Sequence, residues 1–141
     1  DIWSTACTIF EMATGKYLFK LEEGTDDGTV YTLADDHLAR IIELQGPIPS
    51  AVFKKGACWK DFFDEKGDLL KIKNLTPFPM MEYLEEKYKW NPNDAEQITS
   101  FLAPMLEFDK DDRATAARCL QHDWLQPAPA VAAEGSRRDR E

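Results

Sequence analysis

The sequence predicts a mainly helical fold with short irregular connections, and three observations predict it. Apolar residues recur at helical spacing in several separate runs. Capping residues open those runs, and glycine or proline closes them. The composition, 43% hydrophobic and 30% charged over 141 residues, is that of an ordinary globular domain.

The first run places Ile2, Ala6, Ile9, Phe10 and Ala13 close to helical spacing, with Asp1 as N-cap and Gly15 as terminator. Trp3 and Cys7 add apolar character on its flanks, so the helix is apolar over much of its circumference and is expected to be buried. The chain opens on an acid and this helix, without an initiator Met, and is therefore expected to be a piece of a larger protein. KLEEGTDDGTVYTLADDH reads as loop or hairpin around Asp27-Gly28, its acids forming a solvated face. DDHLARIIELQGPIP predicts a helix capped by Asp35 or Asp36, packed through Leu38, Ile41 and Ile42, and ended by Gly46-Pro47. AVFKKG and CWKDFFDEKG suggest short helical turns, and DLLKIKNL an extended segment. A helix starts near Pro79 with Met80, Tyr83, Leu84 and Tyr88 toward one side. Asn91 to Asp94 is a turn and cap for a further helix carrying Ile98, Phe101, Leu102 and Met105, which Pro104 should kink or end. Thr115 caps a last short helix. Residues 1–126 are expected to fold, and 127–141, Pro/Ala-rich and then charged, to be a disordered tail.

A formal net charge of −9 argues against strong non-specific nucleic-acid binding and favours basic partners. No apolar run reaches the ~20 residues of a membrane-spanning helix. Cys7, Cys58 and Cys119 are odd in number and far apart, with neither zinc spacing nor a disulfide framework. Reduced thiols in cytoplasm or nucleus are the expectation. No phosphate-binding glycine loop and no nucleophile elbow is present. His37 and His122 share no ligand spacing. His37 reads as a surface or capping residue and His122 as a packed one.

Asp1-Ile2-Trp3-Ser4, followed by Gly15-Lys16-Tyr17-Leu18-Phe19, resembles the central buried helix of the large lobe of eukaryotic protein kinases. Asp112-Arg113-Ala114-Thr115-Ala116, followed by His122-Asp123-Trp124-Leu125, resembles that lobe's closing motif. Between them DDHLARIIELQGPIP, EKYKW and FLAPMLEFDKDDRATAARCL resemble the SR-protein kinase family, which phosphorylates serines in Arg-Ser-rich splicing factors. The resemblance implies the C-terminal half of the protein kinase large lobe, with Trp3 and Trp124 at structural positions.

The family's roles carry over residue by residue. Asp1 matches an aspartate that binds backbone amides of the catalytic loop; the alternative is that it only caps its own helix. Arg113 matches an arginine paired with a glutamate that would precede Asp1. Within this chain it is expected to be solvated or to reach Asp109, Asp111 or Asp112. Asp36 and Glu43 match two acids that dock arginine-rich substrate, and Lys87 a lysine lining the same groove. Seven residues apart, the two acids share a helical face at about 10 Å along the axis. The alternative is a pair of ordinary surface carboxylates, which Arg40 could neutralise from i+4 and i−3. Arg40 and Lys16 depart from the family pattern, and both add positive charge where the groove should be negative.

Kinase chemistry needs a glycine-rich loop, a strand lysine paired with a helix glutamate, a catalytic-loop aspartate with its asparagine, and a magnesium-holding aspartate. These residues contain none of those motifs. ATP and Mg2+ are expected in the whole protein and no catalytic residue in this chain, whose partners would be Arg-Ser-rich proteins and the small lobe and catalytic segment of the same kinase. The competing reading is a non-catalytic acidic module that binds basic peptides.

Overall fold

The computed structural model describes residues 1–127, of which helices and helical turns make up most of the regular structure. Helix α1 spans Ile2–Thr14. The Asp1 carboxylate accepts from the Trp3 and Ser4 N–H groups at 3.0 and 3.4 Å, and Gly15 ends the helix in the left-handed conformation. Only Ala6 and Phe10 of α1 are fully buried, and Met12 is 81% exposed. Within this chain α1 therefore buries one stripe, not the whole circumference expected of it.

The acidic stretch forms a hairpin. Strand β1 (Gly24–Asp26) pairs antiparallel with β2 (Thr29–Tyr31). Asp27 and Gly28 both take positive φ at the turn, as a tight two-residue hairpin requires. Helix α2 spans Leu33–Gln45. Its cap is Thr32, not Asp35 or Asp36: the Thr32 hydroxyl accepts from the Asp35 N–H, and the Asp35 carboxylate accepts from the Thr32 N–H. The reciprocal capping box satisfies two orphan donors at once, which a lone aspartate could not do. Helix α3 is short, Ser50–Phe53, and a 3-10 turn follows at Trp59–Asp61. The extended segment expected around residues 68–75 forms no strand; a single bridge joins Phe63 to Leu69.

Helix α4 (Met80–Glu82) widens directly into a π-helical turn over Tyr83–Lys87. Helix α5 (Pro92–Leu102) begins with Asn91 as N-cap and Pro92 in its first turn, then tightens to a 3-10 turn over Ala103–Leu106 at Pro104. Helix α6 (Ala116–Leu120) is capped by Thr115, and His122 caps a final 3-10 turn, Asp123–Leu125, by accepting from the Trp124 N–H. The tail expected over 127–141 lies outside the described residues from 128 onward.

Two apolar clusters hold these elements. The larger joins α1, the π turn, α5 and the turn after α5 through Phe10, Leu84, Ile98, Leu102, Met105 and Leu106, each at most 1% exposed. The smaller sits under α2, where Ala39 and Ile42 meet Phe53, Phe63, Leu69 and Ile72. Phe53 and Phe63 stack there at 4.5 Å.

Gly46, which ends α2, has φ 90° and ψ −179°, while its N–H donates to the Ile42 carbonyl at 2.7 Å. That backbone region is essentially closed to residues with a Cβ. A Cβ built there meets no atom within 4 Å, so Gly46→Ala isolates backbone strain from crowding. We expect a loss of about 2 kcal/mol in urea unfolding; a loss below about 0.5 kcal/mol would show that the turn relaxes.

Candidate substrate-docking groove

Helix α2 projects Asp36, Arg40 and Glu43 toward the chain around it. Asp36 is buried. Its Oδ2 accepts from the Glu22 N–H at 2.8 Å and from Arg40 Nε at 2.7 Å. Glu43 is half-buried; its Oε1 accepts from the Thr76 N–H at 3.0 Å, and its carbonyl from the Phe78 N–H at 2.8 Å. Arg40 thus neutralises Asp36 but makes no ion pair with Glu43. Its guanidinium stays charged: burial works against the charge, and the Asp36 carboxylate outweighs that, with Glu22 and Glu43 adding to it.

Lys87 reaches the groove from the π turn. Its Nζ donates to the Tyr83 hydroxyl at 2.8 Å and lies 4.7 Å from that ring's centroid. The wider turn is of note here, because π turns are rare and recur at functional sites. Glu43, Arg40 and Lys87 line one cavity of about 200 Å³, floored by Leu18, Phe19 and Phe78. Asp36 and Glu43 line a second, of about 280 Å³, with Asp26 and Asn74. Arg40 borders both.

The remaining sequence-derived positions gather elsewhere. Asp1 caps α1 and makes no other side-chain bond among the described residues. Trp3 stacks on Phe19 at 6.0 Å and carries the Arg113 guanidinium 5.3 Å from its centroid. Arg113 reaches none of the expected aspartates. It donates to the Glu107 and Phe108 carbonyls at 3.0 and 3.3 Å. Asp109 instead accepts from Lys55 at 2.6 Å. Trp124 stacks on Phe101 at 4.9 Å. His37, expected at the surface or as a cap, is half-buried against the Phe19 ring at 5.4 Å, and burial pushes its pKa down despite Asp36 beside it.

Two acids near the groove make contacts that the sequence does not announce. Asp26 accepts from the Lys73 and Asn74 N–H groups and from the Asn74 amide at 2.8 Å; those bonds, the Asn74 amide foremost, hold its carboxyl below the ordinary range. Asp35 pairs with Lys71 at 3.0 Å. Of the acids expected to form a solvated face, Asp26, Asp35 and Asp36 are therefore bonded to the chain.

Residues 1–125 match the protein kinase domain family. The chain is 50% identical over 127 residues to a Caenorhabditis briggsae protein named serine/threonine-protein kinase spk-1, covering 90% of this chain and 11% of that protein. It is 47% identical over 127 residues to human SRSF protein kinase 3, with coverage of 90% and 22%. It is 44% identical over 126 residues to the Saccharomyces cerevisiae serine/threonine-protein kinase SKY1, with coverage of 89% and 16%. The chain thus spans only 11–22% of the length of these relatives. It belongs to the protein kinase domain family. Within that family, the 44–50% identities over most of the chain support a fragment of the SR-protein kinase kind.

Protein kinases work with ATP and Mg2+. The described residues do not fit that site. Among them no group of three or more His, Cys, Asp or Glu stands close enough to hold a metal ion. The acids nearest the groove accept from amide N–H groups and Arg40, with one Glu43 oxygen left over, and do not converge on one point. No chemical step is assigned to them.

Proposed function

We propose that this chain supplies part of the large lobe of a serine/threonine kinase that transfers phosphate from ATP to serines in Arg-Ser-rich proteins. On this reading α2 and the π turn form the groove that docks the substrate's arginines, and the ATP, Mg2+ and catalytic groups belong to other parts of the protein. The observation that carries it is Glu43. One of its carboxylate oxygens is fixed by the Thr76 N–H, and the other has no hydrogen-bond partner among the described residues. An oriented, half-exposed carboxylate beside an apolar floor suits a guanidinium. Asp36 acts one step back, fixing Arg40 and the chain at Glu22. Lys87 would exclude a misplaced arginine from the far wall.

The test uses the intact protein that carries this chain, Mg-ATP and an Arg-Ser repeat peptide. Phosphate should appear on serine, and residues 1–141 alone should transfer none. Glu43→Gln keeps the Thr76 bond but removes the charge. It should raise KM by about fivefold at low salt with little change in kcat, as loss of uniform binding does. An unchanged KM removes Glu43 from docking. Peptide binding without any transfer by the intact protein would instead favour the non-catalytic basic-peptide module, which the net charge of −9 also suits.

A further inference from the structure

Next to the groove lies a larger cavity of about 890 Å³, between the end of α1, residues 16–22 and the π turn. Lys16, Lys20, Arg40 and Lys87 line it, against only two carboxylates, Glu11 and Glu22. Glu22 is already paired with Lys20 at 3.3 Å. In a chain of net charge −9 this is a local reversal of sign. Lys16 and Lys87 have no carboxylate within 4.0 Å among the described residues, and Arg40 contributes only its Nε to Asp36. Its two terminal nitrogens make no other bond there. An arginine entering this space would meet two lysines without a carboxylate partner, Lys16 and Lys87, beside the paired Lys20 and Arg40.

We propose that this cavity binds a phosphoserine-bearing peptide segment. A serine phosphate carries close to two negative charges and three strong acceptor oxygens, which suits several converging cations better than a single carboxylate does. The free fork of Arg40 offers a bidentate contact, and Lys16 and Lys87 act as point charges on either side. The Tyr88 phenol, raised to about 12 by burial and by the Tyr83 phenol beside it, stays neutral and adds no negative charge to the cavity wall. Buried Leu18 lines the cavity and keeps part of its wall apolar, which strengthens the attraction. In taking phosphoserine as the source of the anion, the proposal rests on the Arg-Ser kinase reading. A phosphorylated Arg-Ser segment carries arginine for Glu43 and phosphate for this cavity, and Arg40 borders both spaces. The ligand is then the reaction's own product, or a partly phosphorylated substrate.

Fluorescence anisotropy with the intact protein tests this using an arginine-free Gly-phosphoserine repeat, its unphosphorylated form, a phosphorylated Arg-Ser repeat and a single-stranded uridine oligonucleotide. The arginine-free phosphopeptide should bind at low salt, weaken as salt rises, and lose about tenfold or more in affinity in Lys16→Ala with Lys87→Ala. Both lysines are exposed. Should the double variant unfold, Lys16→Gln alone should still cost about threefold. Equal affinity for the phosphorylated and unphosphorylated glycine peptides overturns the proposal, as does equal affinity in wild type and folded variants. Tighter binding of the oligonucleotide, lost in the same variants, overturns the peptide assignment. Loss of the arginine-free phosphopeptide in the variants upholds the cavity even where Glu43→Gln leaves Arg-Ser peptides untouched, which would overturn the docking reading alone.

Discussion

Phe10→Ala should lower stability by about 4 kcal/mol, within the range for truncating a buried aromatic ring. The ring is fully buried and sits where α1 meets the π turn. It stacks on Tyr83 at 6.2 Å and meets Tyr88 edge-on at 6.0 Å. Removing it leaves a cavity and also withdraws the surface that sets both tyrosine rings. Tyr83 in turn holds Lys87, so the damage should spread to the groove. Urea unfolding measures the loss. A Phe10→Leu variant should lose less than half as much, because it fills most of the space. A loss of about 1 kcal/mol or less for alanine would mean that the site collapses around the gap.

The second large effect is at Asp35. Its Oδ2 accepts from the Thr32 N–H and hydroxyl at 2.8 and 2.7 Å and from Lys71 Nζ at 3.0 Å. Asp35→Ala removes a cap interaction, of about 1 kcal/mol, and a charge-assisted contact to a buried carboxylate, of about 2 kcal/mol, for a total near 3 kcal/mol. Burial by itself would raise the Asp35 carboxyl; the Thr32 and Lys71 bonds outweigh it and hold it below its ordinary 3.8. The sign follows from the folded form binding its proton less readily than the unfolded form does. The contribution is complete above the ordinary carboxylate value and disappears as pH falls through the lower, folded one. Urea midpoints taken from pH 6 down to about 2 should therefore drop more steeply for the natural protein than for Asp35→Asn. Parallel curves would show that these partners do not lower the pKa of the carboxyl in the folded form.

What could be read from the residues was local. The limits of α1 and α5 follow from Asp1, Gly15, Asn91 and Pro92, each acting within one turn of its helix end. The pairing of Asp36 with Arg40 follows from i,i+4 spacing. The hairpin follows from Asp27-Gly28. What escaped was set at long range. Lys71 is 36 residues from Asp35, and Asn74 is 48 from Asp26, so no local pattern announces either contact. The burial of Asp36 is not legible locally, because the Glu22 N–H that it accepts comes from a stretch without periodicity. The cap of α2 differs from the expected one for a narrower reason: Thr32 with Asp35 is a capping box, with aspartate in the place more often held by Glu or Gln. The π turn has no signature in its own residues; it answers to the packing of Tyr83 and Tyr88 around Phe10.

Glu43 grips the strip opposite α2 twice, through its carboxylate at Thr76 and its carbonyl at Phe78. A double staple of this kind ties the two walls together. A guest would then have to fit the opening as it stands, and its arrival should register as a single-step encounter with little heat-capacity signature of ordering. Discrimination among guests would lie in how long each stays.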